Sequence, residues 1–160
     1  MSIVISPARD DQDLAAVREL FREYVVWLAV DLSFQNFEAE FAGLPGKYLQ
    51  PAGELFLATR QDGYPVGCIG VAPSSIPGAC EMKRLYVRPA ARGTGAGRAL
   101  AAAAVAFAQT FGYRQMLLDT LRTMSTAIAI YRSLGFKSIP SYYDNPVPDA
   151  IFFAKTLTAE

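Results

Sequence analysis

The segment Arg92-Gly93-Thr94-Gly95-Ala96-Gly97 joins a strand-like run to an alanine-rich helical run, and the rest of the fold can be read outward from it. Residues 79–88 alternate as a β-strand does, and residues 96–111 place apolar side chains at helical spacing. Glycines let several backbone N–H groups converge on one ligand atom, and the first turn of a helix adds unpaired donors. The junction therefore predicts an anion site, with phosphate or pyrophosphate as the natural ligand.

Spacing decides which phosphate motif this is. A dinucleotide fingerprint needs G-x-G-x-x-G, but Arg98 and Leu100 stand where the third small residue would fall. A mononucleotide P-loop needs Gly-Lys-Ser/Thr, but Gly97 is followed by arginine. Neither motif fits. The pattern that fits is R-x-x-G-x-G, formed by Arg92, Gly95 and Gly97 directly after the strand.

A second segment, residues 127–136, reads A-x-x-x-Y-x-x-x-G-F and contains Tyr131, Gly135 and Phe136. In this order along the chain, the two segments resemble motifs A and B of the GNAT superfamily of acyl-CoA-dependent N-acetyltransferases, specifically over about residues 79–138. The resemblance implies an α+β (mixed α/β) fold, in which helices flank a central mixed, largely antiparallel twisted sheet. It also implies acetyl-CoA as co-substrate, with its pyrophosphate held by the glycine loop.

Length and composition predict one globular domain over residues 1–160, because 52% of the chain is hydrophobic and only 19% is charged. The 15 basic and 15 acidic residues cancel, which argues against a nucleic-acid partner. No apolar run is long enough to span a bilayer, and the N-terminus lacks the pattern of a signal peptide. We therefore expect a cytoplasmic location and no membrane partner.

The chain contains no histidine, which excludes His-based triads and His metal sites, and we expect no bound metal. Cys68 and Cys80 lie in apolar, strand-like runs and are predicted to be buried thiols rather than a disulfide.

Periodicity and turn residues predict the remaining elements. The predicted helices are 11–30, capped by Asp10, a short one within 31–41, then 96–111 and 125–134. The predicted strands are 2–8, 55–59, 65–72, 79–88, 115–121 and 151–157. Along helix 96–111 the predicted core stripe ends at Phe111.

The strand before the glycine loop carries the first catalytic candidate, Glu81. Strict alternation places Glu81, Lys83, Leu85 and Val87 on one face and Met82, Arg84, Tyr86 and Arg88 on the other. The resemblance implies that a glutamate at this place deprotonates the acceptor amine, usually through water. The alternative is a structural or substrate-orienting carboxylate. Lys83 could neutralise Glu81 or steer an acidic substrate, although exposed surface charge is the commoner role of such a lysine.

The second catalytic candidate is Tyr131, which the resemblance identifies as the general acid for the coenzyme sulfur. A tyrosine has an ordinary pKa of about 10, above that of a thiol near 8.5, so it stays protonated and can donate. The alternative is a core tyrosine on an amphipathic helix. Many family members have asparagine seven residues before this tyrosine, where this chain has Met124, so Thr123 or Ser125 could supply the contact.

The resemblance also implies a set of coenzyme contacts. Backbone groups of the strand end would bind the pantetheine arm, and the loop would bind the pyrophosphate. The candidates are Leu85, Tyr86, Val87, Arg92, Gly93, Thr94, Gly95, Ala96, Gly97, Arg98 and Ser125.

The acceptor is expected to be the primary amine of a small molecule or an amino-acid-like compound, enclosed by the N-terminal helices and the last loop. Aromatic and polar residues in these segments fit a small-ligand pocket. They are Tyr24, Trp27, Gln35, Phe37, Glu38, Tyr48, Tyr142, Tyr143, Asp144 and Asn145. Arg84 or Arg122 could bind an acceptor carboxylate, and surface or structural pairing is the alternative. Protein acetylation and a non-catalytic acyl-CoA-binding module are the alternatives, and the family resemblance leaves a homodimer open.

Overall fold

The computed structural model describes residues 2–157, which form one seven-stranded sheet with helices on both faces. The strands are β1 (Ile3–Pro7), β2 (Glu54–Arg60), β3 (Pro65–Pro73), β4 (Ala79–Val87), β5 (Gln115–Leu121), β6 (Lys137–Ile139) and β7 (Ala150–Thr156). The helices are α1 (Asp11–Leu28), α2 (Phe37–Ala42), α3 (Ala96–Phe111) and α4 (Ser125–Ser133). Short 3₁₀ turns cover Ser33–Gln35, Gly46–Tyr48 and Pro89–Ala91.

The sheet runs in the order β1-β2-β3-β4-β5-β7-β6. Within the described residues, β4 and β5 pair in parallel and every other neighbouring pair is antiparallel. The parallel pair is joined through α3, as a crossover connection requires. The predicted mixed, largely antiparallel sheet flanked by helices is confirmed.

Helix α1 begins at a capping box that its sequence encodes. The Asp10 carboxylate accepts a hydrogen bond of 2.8 Å from the backbone N–H of Asp13, and the Asp13 carboxylate accepts one of 3.4 Å from the N–H of Asp10. The apolar stripe that includes Val17, Leu20 and Phe21 is buried against β2, β3 and β4, together with α2. This places α1 over one face of the sheet.

The opposite face is covered by α3 and α4, whose small residues allow close packing. A side chain at Gly97 would come within 3.2 Å of Ile130 on α4, and one at Gly67 on β3 would come within 2.8 Å of the Tyr86 carbonyl oxygen. Alanines at 101, 104 and 108 of α3 are fully buried against the sheet. Phe111, the last residue of the predicted stripe, is 45% exposed and packs on Phe107 and Tyr113 at the end of the helix.

The strands β4 and β5 separate partway along their length, and this opening positions the site. They pair only where Ala79–Glu81 meets Gln115–Leu117. Beyond that point β5 continues to pair with β7 through Leu121, and β4 continues to pair with β3. The result is a wedge between the two central strands, open toward the glycine loop that follows β4.

A β-bulge in β4 changes the predicted faces. Cys68 and Gly70 of β3 lie opposite Tyr86 and Lys83, so β4 carries one extra residue, and Arg84 adopts a left-handed φ of 62°. Met82 and Leu85 consequently both pack toward α3 and α4, whereas Tyr86 packs toward α1. The prediction that Leu85 and Val87 share the face of Glu81 and Lys83 is therefore wrong.

Other predictions can be compared directly with the structure. Cys68 and Cys80 are buried free thiols, as predicted. The three-residue strand β6 was not predicted, because a segment that short carries no periodicity. Among residues 2–157, no helix combines the length and apolar character that crossing a bilayer requires.

Candidate active site

The glycine loop forms an open cradle at the start of α3. Gly93 and Gly95 have φ values of 81° and 87°, which other L-residues rarely adopt, and a side chain at either would meet nothing within 4 Å. The Thr94 hydroxyl donates a 2.5 Å hydrogen bond to the Ala91 carbonyl and holds the turn. The first backbone N–H groups of α3 have no intrahelical acceptor. An open concavity lined by such donors fits a pyrophosphate.

Two arginines flank this cradle, and both are exposed. The Arg92 guanidinium lies 5.0 Å from the centre of the Trp27 ring, and its Nε donates a 3.0 Å hydrogen bond to the Val87 carbonyl. Arg98 donates to the hydroxyl of Ser133 on α4. Positive charge is therefore available on both sides of the loop.

The start of α4 carries the residues that could replace the missing asparagine. Met124 caps the helix without any side-chain hydrogen bond, and its side chain lines the central cavity. Ser125 is exposed as the first helical residue. Within residues 2–157, neither it nor Thr123 makes a side-chain hydrogen bond, so both hydroxyls are free to meet a ligand.

A solvent-connected cavity occupies the wedge between β4 and β5, and its empty space, including the open mouth, is about 710 Å³. Its walls come from α1, the segment 30–35, residues 82–85 of β4, residues 119–121 of β5, α4, and the loop before β7. Aromatic rings of Tyr24, Trp27 and Phe34 line the α1 side. This mixture of apolar walls and a few polar groups is typical of small-molecule sites.

Tyr131 projects from α4 into this cavity. Its ring packs 5.9 Å from Phe136 and 6.3 Å from Phe153, measured between ring centres. Gly135, with a φ of 94°, ends the α4 segment and turns the chain so that Phe136 can make this contact. Burial raises the pKa of Tyr131, so the hydroxyl remains a proton donor at neutral pH.

A chain of hydrogen bonds crosses the open end of the wedge from α2 to β5. Arg84 donates two hydrogen bonds of 3.0 Å to Glu40 and one of 2.7 Å to Gln35. The Gln35 amide donates to Asp119 at 3.2 Å. Tyr143 and Asn145 also donate to the same Asp119 oxygen, with the Asn145 contact at 2.9 Å. The Asp119 carboxylate is thus fixed at the cavity wall.

The first link of this chain is a buried ion pair. Burial acts to raise the pKa of Glu40, but hydrogen bonds and charge from Arg84, and then from Lys47, outweigh it and lower that pKa to about 2. Because Glu40 and Gln35 occupy its guanidinium, Arg84 serves as a structural cation. Arg122 is exposed and does not line the cavity. Neither arginine is placed as the predicted carboxylate ligand.

Glu81 lies at the narrow end of the wedge, as the last β4 residue paired with β5. Its Oε2 accepts a 2.9 Å hydrogen bond from Tyr142 and lies 3.9 Å from the Lys83 ammonium nitrogen. Lys83 itself lines the cavity, whereas Glu81 is adjacent to Lys83 and is not part of the cavity wall. Burial lowers the pKa of Lys83, and the nearby Glu81 charge opposes that shift.

The structure thus brings Tyr131, Lys83 and Asp119 to one cavity, with Glu81 adjacent and the glycine cradle beyond the end of β4. Sequence reasoning missed Asp119. The available signal was a single carboxylate interrupting the apolar run 116–121, which by itself does not show which groups surround it.

Comparison with known proteins agrees with this geometry. The family model described as "Acetyltransferase (GNAT) family" matches residues 14–136, so the chain belongs to the GNAT acetyltransferase family. An uncharacterized N-acetyltransferase of Schizosaccharomyces pombe is 40% identical over 151 residues, covering 94% of this chain and 93% of that protein. A protein of Azospirillum brasilense named IAA acetyltransferase is 36% identical over 103 residues, covering 64% and 67% of the two chains.

Solved structures show the same fold. A Klebsiella pneumoniae protein assigned as an acyl-CoA N-acyltransferase superimposes with a TM-score of 0.75 at 27% identity, covering 98% of each chain. A phosphinothricin acetyltransferase of Sinorhizobium meliloti, solved in complex with AcCoA, gives a TM-score of 0.74 at 22% identity, covering 98% of this chain and 89% of that one. The protein is therefore an acyl-CoA-dependent acyltransferase of the GNAT type.

Proposed function

We propose that this protein transfers the acetyl group of acetyl-CoA to the primary amine of a small molecule, by direct attack while both substrates are bound. The observation that carries the proposal is the cavity in the β4–β5 wedge. It places a buried tyrosine hydroxyl and a fixed carboxylate around one space that ends toward a glycine cradle.

The cradle is suited to hold the coenzyme. The open backbone at Gly93 and Gly95, the N-terminus of α3 and the flanking Arg92 and Arg98 offer donors and positive charge to the pyrophosphate. On its β5 side, the backbone of β4 at residues 85–87 is left without a strand partner by the wedge. Apart from the Val87 carbonyl, which accepts from Arg92, the backbone groups on that side can bind the amides of the pantetheine arm.

When bound, acetyl-CoA supplies a thioester carbonyl for the amine to attack and a thiolate that leaves. Tyr131 donates its proton to that departing sulfur. Burial raises the pKa of this hydroxyl, so it is protonated at neutral pH and can donate to the sulfur as negative charge develops there.

The acceptor amine must lose a proton before it attacks. We assign Glu81 as the base that accepts this proton through a water molecule. Its carboxylate lies at the narrow end of the wedge, and its side chain is still 20% exposed. Asp119 lines the cavity directly and is held by Gln35, Tyr143 and Asn145. It orients the acceptor ammonium before deprotonation.

A small acceptor fits better than a protein. The cavity is bounded by aromatic rings of α1 and bordered by Gln35 and Asp119, which are joined by a hydrogen bond. A peptide substrate would need an open groove past these side chains.

The test combines binding with turnover. Acetyl-CoA should raise the unfolding temperature of the protein, since a ligand that binds only the native state stabilises it. Free thiol should then be released with members of a primary-amine panel. Acetyl-CoA binding without thiol release from any small amine, but with release from lysine or N-terminal peptides, would replace the small-molecule acceptor with a protein one. Binding with no release from either panel would indicate a non-catalytic module.

A further inference from the structure

We propose that Lys83 binds a carboxylate of the acceptor, so that the substrate class is an amino acid or a similar amine that carries an acid. The inference deepens the proposed function and uses the same cavity.

Lys83 is a largely buried cation without a hydrogen-bonded partner. Its side chain is only 9% exposed, yet it lines the cavity. An ammonium has three donors to satisfy. The nearest acidic oxygen, Glu81 Oε2, lies 3.9 Å away, which is beyond hydrogen-bonding distance, and it already accepts from Tyr142. Within residues 2–157, no protein acceptor bonds the Lys83 nitrogen.

Burying a charge is costly unless it is paired and hydrogen-bonded. A ligand carboxylate that enters the cavity would supply both the charge and the acceptors that the protein withholds. It would also favour the protonated form of Lys83, which burial disfavours. Lys83 therefore gains more from an anionic ligand than from a neutral one.

The other basic groups near the site are occupied elsewhere. Arg84, the second cation on the cavity wall among the described residues, is bonded by Glu40 and Gln35. Arg92 and Arg98 flank the glycine cradle and bond the chain there. Lys83 is thus the cation left for an acceptor.

The cavity also contains the opposite charge. Asp119 lines it from β5, across the wedge from Lys83 on β4. A ligand with an ammonium and a carboxylate matches both walls, whereas a simple amine matches only one. The rings of Tyr24 and Trp27 on α1 leave an apolar surface for the remainder of such a ligand.

The first experiment measures binding without catalysis. Calorimetry with the CoA-loaded protein compares two carboxylates, butyrate and 3-phenylpropionate, with their amides, which have the same shape and no charge. We expect at least one carboxylate to bind about tenfold more tightly than its amide, the range expected for a hydrogen bond to a charged group. Equal affinities within both pairs, or no binding of either carboxylate, would overturn the inference.

Variants locate the effect. Lys83→Met, which keeps length and removes charge, should abolish the preference for the carboxylate, and Lys83→Arg should retain part of it. Lys137→Met removes an exposed lysine on β6 and should leave the preference unchanged. A preference that survives in Lys83→Met would overturn the assignment, provided that its circular dichroism spectrum and CoA affinity match those of the wild type.

Turnover separates the two proposals. With acetyl-CoA, amino acids should be acetylated in preference to the corresponding simple amines compared at equal concentrations of neutral amine, and Lys83→Met should remove that preference. If carboxylates bind through Lys83 but no amine releases thiol, the proposed function fails and the binding inference stands. If simple amines react as well as amino acids and carboxylates do not bind preferentially, the inference fails and the proposed function stands.

Discussion

At the scale of single residues, the site depends on groups whose environment differs from water. Tyr131 is buried against Phe136 and Phe153 and keeps its proton. Glu81 and Lys83 stand close together at the narrow end of the wedge, and Asp119 faces them from the neighbouring strand. At these positions a substitution can remove the hydroxyl or the charge of the side chain and leave its size nearly unchanged.

Tyr131→Phe removes the proposed proton donor but keeps the ring and its packing. Turnover should fall about 10²-fold, the lower range for loss of a general acid, while acetyl-CoA affinity stays near that of the wild type. Thiol-release kinetics and calorimetry measure the two quantities. Tyr64→Phe, at a ring that is 47% exposed, is the matched control and should change neither. Unchanged turnover in Tyr131→Phe would show that the sulfur leaves without this donor.

Glu81→Gln tests the base through its dependence on pH. Below the pKa of the acceptor amine, nearly all acceptor is protonated and a base is required, so kcat/KM should be reduced most there. As pH rises toward that pKa, neutral amine accumulates in solution and the deficit of the variant should shrink. Glu38→Gln is the control, because Glu38 is exposed on α2 and does not line the cavity. A deficit of the same size at every pH would indicate a positioning role for Glu81.

At the scale of elements, the site is made by two departures from regular structure. The bulge at Arg84 turns Leu85 toward α3 while Lys83 stays on the α1 face. The early end of the β4–β5 pairing opens the wedge. The glycine loop then leads into α3 through Gly93 and Gly95, whose left-handed backbone conformation other amino acids do not adopt easily.

Gly95→Ala tests the cradle as an element. Gly95 and Gly63 have nearly equal φ values of 87° and 88°, and a side chain at either would enter open space. Both alanine variants should therefore lose about 1–2 kcal/mol of unfolding free energy through backbone strain. Only Gly95→Ala should weaken acetyl-CoA binding, because Gly63 lies in the β2–β3 turn. Equal coenzyme affinity in the two variants would contradict a role of the loop in binding.

At the scale of the whole molecule, buried charge ties the α1–α2 layer to the sheet. Glu40 on α2 pairs with Arg84 in the bulge, and both side chains are at most 5% exposed. The pair fixes Gln35 and, through it, Asp119. Stability and site geometry are therefore linked through one contact.

This contact predicts part of the acid sensitivity of the protein. The pKa of Glu40 is lowered from its ordinary 4.5 to about 2, so its contribution to stability is complete above pH 4.5 and is lost as the pH falls toward 2. Glu40→Gln should be less stable than wild type at neutral pH, and the difference should narrow through that window. Urea unfolding at a series of pH values measures it. A difference that is independent of pH would show that the Glu40 charge does not stabilise the fold.

The class of protein could be predicted from local sequence, because its signals are short and contiguous. The glycine spacing at 92–97 and the tyrosine motif at 127–136 each encode their own turn or helix. The bounds of α3 and β5 follow from periodicity alone, and those of the other long elements agree within a few residues. The single domain, the cytoplasmic location and the homodimer stay predictions.

The groups that surround the proposed acceptor depend on contacts between residues far apart in the sequence. An extra residue in one strand reverses every later side chain, and alternation cannot reveal it. Asp119 and Gln35 are 84 positions apart and become neighbours only when the loop before α2 folds over β5. Glu40, 44 residues away in the sequence, binds the Arg84 guanidinium, so Lys83 is the cation that remains available to a ligand. Short motifs therefore determined the donor that this protein uses, because they need only their own backbone. Long-range packing determined which charges face the acceptor, because burial and pairing are properties of the folded chain.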